Sequence, residues 1–175
     1  MRPPRPEMSN ATPPPITADR EPPPLLRVAG GLWLASVAAG ALALVIAFLD
    51  RETFLSGIQD TALSVDAGIA PEDAEMAATI AFWGSLGAFA VVLLLVVLFV
   101  RPLLRGRGWA RWALLAVLLL DAGAVLLVQA FLSTDTAGFQ PVPHLAVAQL
   151  ALGVIALAVT LMPPISRWFR GTHQR

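Results

Sequence analysis

Asp121 is the residue whose chemistry stands out, because it lies alone inside a long apolar run, about ten residues from either end. An ionised carboxylate at mid-bilayer costs about 2.5–3.5 kcal/mol on insertion scales. The side chain is therefore expected to face other protein, and a carboxyl group there has two uses. It can bind a proton or cation in a transport path, or it can hydrogen-bond a neighbouring helix. Its own helical neighbours, Val117, Leu118, Ala124 and Val125, offer no polar side chain, so a partner has to come from elsewhere in the chain. Ser36 lies at a similar depth in the first apolar run and is the expected partner. Gln129 and Gln149 are placed in the outer halves of the third and fourth runs, where they are expected to bond each other across a helix pair. With Asp121 and His144 the same two amides also trace a polar path from the outer face. Both readings stay open from sequence.

Much other chemistry is excluded. The chain has no Cys and no Tyr, which removes thiol redox, thiolate metal sites and phenolic acids. His144 and His173 belong on opposite faces of the membrane, so one chain cannot clamp a haem or a zinc with histidines. No phosphate-cradling glycine loop and no nucleophile elbow occurs. A non-enzyme without a cofactor or bound metal is expected, and nothing points to nucleic acid.

Four elements must position these side chains. Of the 175 residues, 57% are hydrophobic and 14% charged, against roughly a quarter charged in soluble domains. Spans are expected at about 28–49, 76–100, 112–132 and 144–162. The first, 22 residues long, reaches about 33 Å as a helix, enough to cross the hydrocarbon layer. It is too long for a signal-peptide core and ends without a small-x-small site, so it reads as an uncleaved helix. Gly31, Ala35, Ala39, Ala43 and Ala47 recur every fourth residue along it, with Ser36 and Gly40 beside them, and are expected to form a close-packing face. In the second span Ala77, Ala81 and Ser85 form a similar row, while 91–100 is expected to face lipid more fully.

Residues 1–26 hold nine prolines and are expected to form a disordered tail. Pro3-Pro4-Arg5-Pro6 within it could serve as a polyproline ligand. Residues 50–75 carry seven acids and one base, Arg51. Phe54, Ile58, Ala62, Val65 and Ile69 recur there at helical spacing. A short amphipathic helix across the mouth of the bundle and an extension of the first helix both fit. The acids read as a solvated face rather than a cation site, since calcium loops space their ligands more tightly. Pro71, Glu72 and Asp73 mark a helix start.

Arg101, Arg105, Arg107 and Arg111 crowd the loop between the second and third spans, with Trp109 and Trp112 at its edge. Basic residues near helix ends stay on the cytoplasmic side, and indoles prefer the interface. The same arginines would attract anionic lipid headgroups, at about 1 kcal/mol per charge. With both termini inside, arginines 2, 5, 20, 27, 101, 105, 107, 111, 167, 170 and 175 are cytoplasmic and only Arg51 is outside. The expected fold is an all-α, four-helix polytopic membrane bundle, N-in and C-in, of a bacterial inner membrane. Residues 27–164 form the membrane domain. Residues 165–175 form a basic cytoplasmic tail that starts with a short interfacial segment. The expected partners are the bilayer and either a second copy of the chain or another membrane protein.

The loop Arg105-Gly106-Arg107-Gly108-Trp109-Ala110-Arg111 resembles the GRxWAR loop of small, uncharacterised actinobacterial membrane proteins, and Leu32-Trp33-Leu34-Ala35 is similar to a segment of their first span. The resemblance implies a four-helix inner-membrane protein and brings no activity with it. Function at this stage divides into an accessory, assembly or scaffolding subunit and a small transporter or channel built on Asp121.

Overall fold

A computed structural model describes residues 24–66, 68–133 and 140–163. The chain is all-α: α1 (Pro24–Leu49), α2 (Arg51–Val65), α3 (Pro71–Leu104), α4 (Trp109–Phe131) and α5 (Pro141–Leu161). Four of these, α1, α3, α4 and α5, are long and apolar enough to cross a membrane. They pack in a closed ring, α1 on α5, α5 on α4, α4 on α3 and α3 on α1. Chain direction alternates around the ring, so every neighbouring pair is antiparallel. Large side chains such as Leu94, Leu98, Leu119 and Leu126 stand exposed on its outside. Lipid rather than water must solvate that surface, and the protein is a multi-pass membrane protein.

Two helix starts differ from the sequence expectation, for one reason, while α3 opens at Pro71 as expected. Pro24 opens α1 and Pro141 opens α5. Proline is tolerated in a first turn because the N–H groups there have no intrahelical acceptor. Residues 24–26 are thus helical rather than part of the tail, and α5 takes in both Pro141 and Pro143 instead of following them. The remaining N-terminal tail, the 165–175 segment and His173 lie outside the described residues.

The Arg-rich loop is a tight hairpin. Gly106 has φ 77°, and the bonds Gly106 N–H to Leu103 O (3.0 Å) and Arg107 N–H to Pro102 O (3.1 Å) close the end of α3. That pair of bonds, with glycine in the left-handed region, is a Schellman cap. Within three residues Ala110 N–H bonds Arg107 O and α4 begins.

At the opposite end, α2 follows α1 after a bend at Asp50, across which the i to i−4 bonds Asp50 N–H to Ile46 O and Phe54 N–H to Asp50 O persist. It lies chiefly against α3, where Phe54 stacks on Phe82 with centroids 6.4 Å apart. At 34 residues, α3 is about 51 Å long and overshoots the hydrocarbon layer. The overshoot gives α2 something to rest on.

Candidate functional site

Depth decides which polar side chains meet. In the antiparallel pair α4/α5, Asp121 lies level with Gln149, and Gln149 Nε2 donates to Asp121 Oδ2 at 2.9 Å. Ser36 Oγ of α1 donates to the backbone carbonyl of Gln149 at 2.9 Å. Asp121 and Gln149 are each 1% exposed and Ser36 is 0% exposed, so three helices converge on one polar cluster near mid-membrane. Asp121 and Ser36 do not bond each other, contrary to the sequence expectation. They engage the side chain and the main chain of the same glutamine.

Two glycines let the helices come this close. A Cβ on Gly40 would lie 2.7 Å from Leu93 Cδ2 and 3.2 Å from Gln149 Cγ; one on Gly153 would lie 2.9 Å from Leu118 Cδ1 and 3.4 Å from Trp33 Cζ3. Small residues at such contacts are a main source of helix association in lipid. The expected stripe of α1 is only half right: Ser36, Gly40, Ala43 and Ala47 are buried, whereas Gly31 and Ala35 are exposed. In α3, Val92, Leu93, Val96 and Val100 are buried, so 91–100 packs inward along one face rather than turning wholly to lipid.

The expected Gln129–Gln149 bond is replaced by Gln129 Nε2 to Pro143 O, at 3.2 Å. Gln129 is eight residues, about 12 Å, along α4 from Asp121. In the antiparallel register that places it level with the first turn of α5, well away from Gln149. Val125, Val128 and Ala146, all buried, fill the layer between the two amide positions. His144 is exposed, and its Nδ1 meets Gln140 O. The polar path imagined from His144 through Gln129 to Asp121 is therefore interrupted by apolar side chains.

The cluster is not fully satisfied. Asp121 Oδ1, Gln149 Oε1 and Trp33 Nε1 are buried without a hydrogen-bond partner. Trp33 was missed as a polar residue in the sequence, where it reads only as apolar bulk. At the hairpin, Arg101, Arg105 and Arg107 are exposed and Arg111 is half-buried, with its Nε 3.4 Å from Gly108 O. Trp112 is 68% exposed, and Trp109 meets Phe99 edge-to-face at 5.8 Å. Among the described residues no group of three metal-ligating side chains gathers.

No family model matches the chain, no curated protein matches it, and no solved structure matches it.

Proposed function

We propose that the protein is a non-enzymatic accessory, assembly or scaffolding subunit that works through helix packing in a bacterial plasma membrane. One observation carries this reading. The mid-membrane carboxylate engages Gln149 inside a closed helix contact, and none of Asp121, Gln149 and Ser36 lines the large cleft at the α2 end. A buried polar cluster of this kind fixes which helix faces which and leaves the outer surface for partners. The loop resemblance supports an actinobacterial membrane.

The charge pattern supports an orientation with both termini cytoplasmic. Arg27, Arg101, Arg105, Arg107 and Arg111 sit at the hairpin end, and Asp50, Glu52, Asp60, Asp66, Glu72, Asp73 and Glu75 at the other. The hairpin arginines and Trp112 would then contact anionic headgroups of the inner leaflet. The chain lacks cysteine, so single cysteines at Arg107 and Asp60 report sidedness directly. Labelling of Asp60→Cys, but not Arg107→Cys, by an impermeant maleimide in whole cells fits the proposal. The reverse pattern contradicts it.

The two unpartnered oxygens, Asp121 Oδ1 and Gln149 Oε1, favour a second reading, a small transporter or channel in which a proton or cation engages them in passing. Solute flux in proteoliposomes that Asp121→Asn abolishes would establish it. Native-membrane crosslinks to a protein partner, together with no flux, establish the accessory role.

A further inference from the structure

The end of the molecule opposite the hairpin holds an apolar cleft. No side chain of α2 is buried, and Val65 is 83% exposed. Phe54, Ile58 and Val65 recur on α2 at helical spacing and, with Phe131 from the last turn of α4, line a cleft of about 700 Å³. That volume falls in the range of about 300–1,000 Å³ typical of ligand sites. Asp60 and Asp66 belong to the same lining. Of the seven acids at this end, Glu52 pairs with Arg51 at 3.6 Å; among the described residues the other six have no ion-pair partner.

We propose that this cleft docks a cationic amphipathic segment of a partner protein. Its apolar side chains would rest on Phe54, Ile58 and Phe131, and its Lys or Arg groups would meet Asp60 and Asp66. Charge selects this occupant. A phospholipid would bring its phosphate towards two carboxylates, and a bare acyl chain would leave them unused. A helix laid in an apolar groove with charged flanks meets both the floor and the rim. The inference rests on the accessory-subunit reading and gives that partner its chemistry.

The test uses the full chain in phosphatidylcholine nanodiscs, with a fluorescent amphipathic Leu–Lys helix as probe and Leu–Gln and Leu–Glu helices of the same pattern as controls. Binding is read after subtracting empty nanodiscs. The Leu–Lys helix is expected to bind most tightly, with a salt dependence that the paired changes Asp60→Asn and Asp66→Asn remove, at a cost of about tenfold or more in affinity. Ile58→Trp, which fills the cleft and keeps the charge, is expected to weaken binding equally. Asp60 and Asp66 are exposed and Ile58 is half-buried against the edge of the core, and an unchanged melting curve verifies the fold of each variant. Equal binding of Leu–Lys and Leu–Gln helices, or full binding by Ile58→Trp, overturns the proposal. Photocrosslinkers at Ile58 and at lipid-facing Leu34 in native membranes separate this claim from the broader one. Protein adducts at Ile58 that the Leu–Lys helix displaces support docking. Protein adducts at Leu34 alone overturn the cleft and leave an accessory role standing. Lipid adducts alone at both positions overturn both.

Discussion

The centre of the bundle and its α2 end both combine carboxylates with apolar side chains, and they treat them in opposite ways. At the centre Asp121 is buried and takes the amide of Gln149, with Gly40 and Gly153 drawing the helices together. At the α2 end Asp60 and Asp66 are exposed beside half-buried Phe54 and Ile58. Lipid supplies no hydrogen bonds, so a polar group in mid-span must be satisfied by another helix. At the membrane surface water does that work, and carboxylates stay free to meet something else. Polarity at the centre therefore braces the fold, and polarity at the end offers recognition.

Substitutions should separate the two regions by the size of their effects. The largest is expected at the glycines. Gly153→Leu forces a side chain where even a Cβ would lie 2.9 Å from Leu118 Cδ1, and overpacking of this kind costs about 3 kcal/mol. Thermal unfolding in mild detergent should show a strongly lowered midpoint. Next comes Gln149→Leu, which strips Asp121 of its donor and should cost about 2 kcal/mol. Asp121→Asn keeps an acceptor for Gln149 Nε2 and adds a donor for the unpartnered Gln149 Oε1, so its melting curve should match the parent within about 0.5 kcal/mol. Ser36→Ala removes one interhelical bond and should cost about 0.6 kcal/mol. Asp60→Asn should leave stability within about 0.5 kcal/mol while weakening the Leu–Lys helix. If Asp60→Asn destabilised the chain as much as Gln149→Leu, the contrast between centre and end would fail.

The ring of four helices was legible because apolar runs and an Arg-Gly turn leave few alternatives in a bilayer. The burial of Asp121 followed from the cost of exposing it. Its partner did not follow, because the apolar run of the fourth span begins at His144, whereas the helix begins at Pro141. Starting α5 at Pro141 moves Gln149 about 4.5 Å deeper along the helix, and places it level with Asp121. The buried face of α1 differs from the row of small residues because of helix geometry. Steps of four residues rotate by about 40° each, so Gly31 and Ala47 point to different sides. The buried series Ala29, Trp33, Ser36, Gly40, Ala43 and Ala47 mixes steps of three and four. On α2 the spacing of Phe54, Ile58 and Val65 announced a helix. Its resting place is a tertiary contact with α3, which no local pattern encodes.

The α4–α5 bond in mid-membrane is the brace on which the polar centre depends, and a double-mutant cycle in nanodiscs measures it. Asp121→Leu, Gln149→Leu and the pair, compared by unfolding free energy, should give a coupling of about 0.6–1.7 kcal/mol. Additive effects, with coupling indistinguishable from zero, would contradict a bundle braced through Asp121.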